Sequence, residues 1–152
     1  MIRKSLVVVT TLLVFSTMAT SQAADTTTLD VSKPTLVINL TSGPDDLHAV
    51  SMGLNFAGHG IADGREVVVF FNVKSPPLAR KDLADSVRFQ DKEPIHTLIT
   101  DLLKNGAKMF VCPMCAEITE VSEDQLTPGI ELIKDRKQLF DYLHSNSVVF
   151  SY

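Results

Sequence analysis

Cys112 and Cys115, in the run Val111-Cys112-Pro113-Met114-Cys115-Ala116-Glu117, are the residues whose type and spacing point to chemistry, and they are the only cysteines of the chain. Ala107-Lys108-Met109-Phe110-Val111 before them reads as a buried strand, and helix-compatible residues follow. A thiol pair is therefore expected where a strand hands over to a helix. A helix start presents free backbone N–H groups and a partial positive charge, and both favour thiolate over thiol. Pro113 lacks an N–H and suits the first helical position, which puts Cys112 at the N-cap with its sulfur toward those N–H groups. Cys115 then falls one turn in, where it is expected to be more buried and to act as resolving thiol or second ligand.

Three chemistries fit this arrangement. Sulfur carriage needs a polarised, accessible thiolate that accepts a sulfane sulfur and releases it. A second cysteine three residues away can attack such a persulfide and expel sulfide, leaving a disulfide. Disulfide exchange has the right spacing, but the pair follows the third strand of a repeating β/α pattern, the wrong place for a thioredoxin fold. Soft-metal binding is the third: Cys112, Cys115 and Met114 offer two thiolates and a thioether, a set suited to Cu(I). Zinc wants four ligands, and no second cysteine pair or tight histidine motif is present. A purely structural disulfide across two intervening residues closes too short a loop to stabilise much.

Other polar residues carry weaker signals. His48, His59, His96 and His144 are scattered and read as helix-surface or cap residues. His48 and His96 lie near the starts of helices that follow strands, so both are candidates to approach the rim that holds Cys112. Asp45 and Asp46 read as helix caps, Met52 and Met109 as core, and Glu117 as a solvated first-turn acid. Gly43, Gly58, Gly60 and Gly64 form no phosphate-binding fingerprint, so no nucleotide cofactor is expected.

Periodicity supplies the elements that must position the thiols. Strands are predicted over 34–40, 66–73, 107–111, 130–133 and 148–152, as short apolar runs without alternation. Leu47, Val50, Leu54 and Ala57 mark an amphipathic helix, and Pro94 opens another with Ile95, Leu98, Ile99, Leu102 and Leu103, stopped by Asn105-Gly106. A short helix is expected near Arg80 to Ala84 and a helix or turn over 116–125. A last helix begins at Asp135, with Leu139, Phe140 and Leu143 inward. Together these predict a single α/β domain: a five-stranded, mostly parallel sheet with helices on both faces and function at the carboxyl ends of the strands.

The ends and the composition bound the setting. Arg3 and Lys4, the apolar stretch Leu6 to Met18 and Ser21-Gln22-Ala23 form a complete signal peptide over 1–23, cleaved after Ala23. The apolar stretch falls short of the ~20 residues of a membrane-spanning helix. Residues 24–33 read as a flexible leader and 34–152 as the domain. The signal predicts export to the periplasm, with no membrane attachment after cleavage. Losing Arg3 and Lys4 moves the net charge from −4 to −6. An acidic surface without a basic cluster excludes nucleic acid as the expected partner.

The order of these segments resembles the DsrE/DsrF-like sulfur-relay family from about Pro34 to Tyr152. The resemblance is carried by Asp45-Asp46 after the first strand, Gly58-His59-Gly60, Val67-Val68-Val69-Phe70-Phe71, Pro94-Ile95-His96-Thr97-Leu98, Asn105-Gly106-Ala107, the Cys-Pro-Met-Cys motif and Leu126-Thr127-Pro128-Gly129-Ile130. It implies a small α/β domain that forms homo-oligomers and carries persulfide sulfur on a cysteine at the end of a central strand, here Cys112 or Cys115. A sulfurtransferase-like carrier would need no cofactor, and its partners would be a sulfur donor or acceptor protein or a small thiol. The chain departs from the relay members in its export signal and in having a pair of cysteines where they commonly rely on one. Cu(I) binding and disulfide exchange through the same residues remain the alternative expectations.

Overall fold

The computed structural model describes residues 32–152; the predicted signal peptide and residues 24–31 of the leader lie outside the described residues. Five strands form one sheet: β1 (Leu36–Leu40), β2 (Val67–Phe71), β3 (Lys108–Val111), β4 (Ile130–Leu132) and β5 (Val148–Ser151). Their order is β4-β3-β2-β1-β5 and every pairing is parallel. The helices are α1 (Leu47–Ala62), α2 (Ile95–Lys104), α3 (Pro113–Ile118) and α4 (Lys137–Phe140).

The sheet order dictates where the helices lie. A crossover between parallel strands is right-handed. The steps β1→β2→β3→β4 all move one way across the sheet, so α1, α2 and α3 share a face. The step β4→β5 moves back past β1, so α4 belongs to the opposite face. The core divides accordingly. Leu36, Ile38, Leu40, Val67, Val69, Phe71, Met109 and Val111 pack with Val50, Leu54 and Ala57 of α1 and Ile95, Ile99 and Leu102 of α2. On the other face Val37, Val68 and Phe110 form a small cluster with Phe70, Ile133, Leu139 and Tyr142. Burying one Leu, Ile or Val side chain contributes about 1.5–3 kcal/mol, so the α1–α2 face supplies most of the hydrophobic stabilisation.

Local sequence explains the well-predicted elements. Asp46 caps α1, its Oδ1 accepting from the Ala49 N–H at 3.1 Å. Gly60 lets α1 lie close on the sheet, since a Cβ there would meet Leu36 Cδ2 at 2.5 Å and Val67 Cγ2 at 3.0 Å. Gly106, at φ 92°, ends α2 after Asn105.

Several expectations need correction, among them Met52, which is 51% exposed rather than in the core. The short helix near Arg80 to Ala84 is instead a 3-10 turn at Pro76–Ala79, because two prolines preset the first helical dihedrals; Arg80 forms an antiparallel bridge with Leu126. The helix or turn expected over 116–125 is two elements: a helix that starts at Pro113, as the N-cap reading of Cys112 requires, and stops at Ile118, and a separate 3-10 turn at Glu123–Gln125. The second strand ends at Phe71, because Val73 takes a positive φ of 54° and turns the chain out of the sheet. In the last helix, Leu139 faces the small cluster but Phe140 is 59% and Leu143 37% exposed. That helix is a single turn, too short to carry an inward stripe, and Tyr142 supplies the contact instead, its ring 5.6 Å from that of Phe110.

Candidate thiol site

Cys112 follows β3 directly and occupies the N-cap of α3, with Pro113 at the first helical position. Its backbone extends the ladder, its N–H donating to Phe71 O at 3.0 Å, and its carbonyl accepts from the Ala116 N–H at 2.9 Å. Its sulfur makes no capping hydrogen bond to α3. Both cysteines are free and half-buried, and they lie side by side.

Cys115 is the more tightly held thiol. Its S–H donates to Asn72 Oδ1 at 3.2 Å, and its Sγ accepts from the Val73 N–H at 3.2 Å. The same Val73 N–H donates to Asn72 Oδ1 at 2.9 Å. Burial pushes the Cys115 thiol above its ordinary pKa, and the adjacent Cys112 pushes it further, while the Val73 N–H acts in the opposite sense. The geometry depends on the backbone at Val73. A β-branched residue at positive φ is strained by about 1–2 kcal/mol. The turn is fastened on both sides. The Asn72 N–H donates to Leu40 O and the Lys74 N–H to Thr41 O, and the buried Ser75 hydroxyl shares its one proton between Leu40 O at 2.7 Å and Asn72 O at 2.9 Å. An exposed ion pair, Lys74 to Asp45, adds to the fastening and holds the Asp45 carboxyl below its ordinary range.

A row of polar side chains runs from the cysteines across the carboxyl ends of the strands. Asn72 Nδ2–H donates to Asn39 Oδ1 at 3.3 Å, and Asn39 Nδ2–H donates to Ser151 Oγ at 3.1 Å. Sequence reasoning missed Asn39, Asn72 and Ser151. The available signal was Asn39, a polar residue inside the apolar run Pro34 to Leu40, on the side opposite Leu36, Ile38 and Leu40.

The other candidates are placed elsewhere. His48 stacks on Phe89 with ring centroids 4.5 Å apart. His96 Nε2 lies 3.6 Å from Asp85 Oδ1 and its Nδ1 is buried without a partner among the described residues. No contact joins either histidine to the thiols among the described residues. Met114 stands out to solvent at 68% exposure, with Ile118 at 73% and Val73 at 51%. Among the described residues no three His, Cys, Asp or Glu side chains gather closely enough to hold a metal ion. A cavity of about 400 Å³ between α1 and α2, lined by Leu54, Gly58, His59, Leu98 and Leu102, contains neither cysteine; it is an open seam between helices.

Solved structures share the fold. The protein of unknown function MTH1491 from Methanobacterium thermoautotrophicum superposes with a TM-score of 0.59 at 13% identity, covering 79% of this chain and all of that one. The ychN protein from E. coli gives 0.57 at 10% identity, covering 79% and 99%. The BT1422 protein of unknown function from Bacteroides thetaiotaomicron gives 0.52 at 19% identity, covering 78% and 94%. No curated protein matches the sequence. The model of the DsrE/DsrF-like family matches residues 35–150, spanning every strand and helix described above except the end of β5, and the chain belongs to that family.

Proposed function

We propose that the protein is an exported, periplasmic sulfur carrier that takes up sulfane sulfur as a persulfide on Cys112, with Cys115 as its partner thiol. The observation that carries this reading is the asymmetry of the pair. Cys115 is hydrogen-bonded on two sides and raised in pKa, whereas the Cys112 sulfur has no capping bond and sits half-exposed at the end of β3. A thiol free to react beside one held in reserve suits a carrier. Family membership supports a sulfur-relay role, and the apolar surface of Val73, Met114 and Ile118 around the pair suits docking of a donor or acceptor protein. A second copy of the chain is proposed to cover the β5 edge, where Val148, Val149 and Phe150 are exposed.

The test is intact mass of reduced protein exposed to inorganic polysulfide and freed of excess reagent. The proposal expects one added sulfur atom, reversed by reductant, in wild type and Cys115→Ser and absent in Cys112→Ser. An adduct confined to Cys115 would reverse the assignment. No adduct on either, with one copper retained per chain under reducing conditions, would replace this reading with Cu(I) binding through Cys112, Cys115 and Met114.

A further inference from the structure

A vicinal thiol is a hazard to a persulfide. The Cys115 thiolate can attack Cys112 Sγ, forming the Cys112–Cys115 disulfide while the bond to the outer sulfur breaks. That sulfur leaves with the bonding pair as hydrosulfide. The Cys115 sulfur is oxidised to the disulfide level that Cys112 Sγ already holds in the persulfide and the outer sulfur is reduced to sulfide, so no outside oxidant is required. Only the thiolate attacks; the protonated thiol does not.

We propose that Asn72 is a positioning residue that keeps Cys115 a protonated hydrogen-bond donor and so protects the sulfur carried on Cys112; the proposal rests on the persulfide reading above. The amide is locked with its oxygen toward Cys115. Two donors converge on Oδ1, the Val73 N–H at 2.9 Å and the Cys115 S–H at 3.2 Å, while Nδ2 is engaged by Asn39 Oδ1 at 3.3 Å. Turning the amide over would set its N–H against the fixed Val73 N–H. An acceptor held in this way rewards the thiol and repels the thiolate. Asn39, itself bound to Ser151, anchors the far side. Among the described residues, the charge that acts on Cys115 works in the same sense as Asn72, against the thiolate. The ionisable group acting on Cys115 is Cys112; the turn at Pro76–Ala79 packed against α3 has no titratable side chain, and Lys74 is engaged with Asp45.

Two variants move the site in opposite directions. Asn72→Ala removes the acceptor. Asn72→Asp keeps an acceptor for both donors and adds a negative charge that opposes the thiolate; Asn39 can turn over to donate to it, because the Ser151 hydroxyl both donates and accepts. The first measurement is sulfide release from polysulfide-loaded protein near neutral pH. Asn72→Ala should release about tenfold faster than wild type, the equivalent of one pKa unit. Asn72→Asp should release more slowly than wild type, and in the Cys115→Ser background both differences should vanish. The second measurement needs no sulfur loading: the pH profile of iodoacetamide alkylation of Cys115 in a Cys112→Ser background. Its midpoint should fall in Asn72→Ala and rise in Asn72→Asp. Midpoints unmoved, or moved the same way in both variants as a loosened turn would do, overturn the role of Asn72. Equal sulfide release from loaded Asn72→Ala and wild type overturns the protection. Opposed midpoints with no adduct on Cys112 in any variant overturn the persulfide reading and leave the hold on Cys115 standing.

Discussion

On one face of the sheet, Ile38, Leu40, Val69 and Phe71 are roofed by α1 and α2 and are sealed from water. On the other, Val37, Val68 and Phe110 meet a single helical turn and the ring of Tyr142. The same strands serve both faces, with alternate side chains. The difference shows at their carboxyl ends. The roofed face ends in Leu40, Phe71 and Val111, while the thin face ends in Asn39, Ser151, Asn72 and Cys112. Apolar packing on the roofed side sets the backbone; the sparse cover on the other leaves room for a polar row that a dry core would penalise by several kcal/mol per unpaired group. Stability and chemistry are thus divided between two sides of one sheet.

Substitutions can break or sharpen this division. The largest effect is expected from Val69→Lys, which buries an unpaired charge beneath α1 and α2. Its penalty of several kcal/mol rivals the roughly 5–15 kcal/mol that holds a domain together, so the cooperative thermal transition should vanish. A near-normal melt would refute the roofed interior. Next comes Phe71→Ala on the same face, expected to lose about 3–5 kcal/mol in a denaturant titration. Gly60→Ala should cost about 1–3 kcal/mol by forcing α1 away from Leu36 and Val67; an unchanged midpoint would mean that those side chains yield. On the thin face Leu139→Ala should lose only about 1 kcal/mol, because its side chain is already partly exposed, and a loss as large as that of Phe71→Ala would erase the contrast.

The smallest effect on stability, and the most informative about the site, concerns the thiols. Raising the pKa of Cys115 lowers its thiolate fraction at any given pH, so its alkylation should rise only above the ordinary thiol range and lag that of Cys112 at every lower pH. Peptide mapping after brief iodoacetamide treatment measures both. Equal rates would remove the asymmetry on which the carrier reading stands.

Where one physical signal dominates, the sequence is legible. Continuous apolar runs located all five strands, and the step from β3 to Cys112 followed from the run ending at Val111. The same signal misleads at β5. Val148-Val149-Phe150 reads like a buried run, yet all three are at least 40% exposed, because the run records apolarity and not what covers it. The final helix failed for a related reason: spacing of Leu139, Phe140 and Leu143 suggests a stripe, but the helix ends before one forms. The cysteines were visible from type and spacing alone. Asn72 was not, since an amide after a strand reads as a turn residue, and its bonds to Asn39 and Cys115 span 33 and 43 positions. Nothing local encodes a contact of that kind.

The parallel pairing of β5 with β1 has a consequence for the order in which the molecule assembles. β1 is the first of the described strands and β5 the last, yet Thr41 and Ser42 after β1 both donate to Tyr152 O, and Asn39 reaches Ser151 across 112 positions. Closing such a span is entropically expensive and is rewarded only when both partners exist, which slows folding and leaves β1 with a bare edge until the end. The Asn39 end of the polar row is therefore tied only when the last strand docks, whereas Cys112 takes its place from the pairing of β3 with β2. The framework that orders the thiols thus spans the whole fold, from β1 to the last strand, and is complete only when both ends of the sheet are in place.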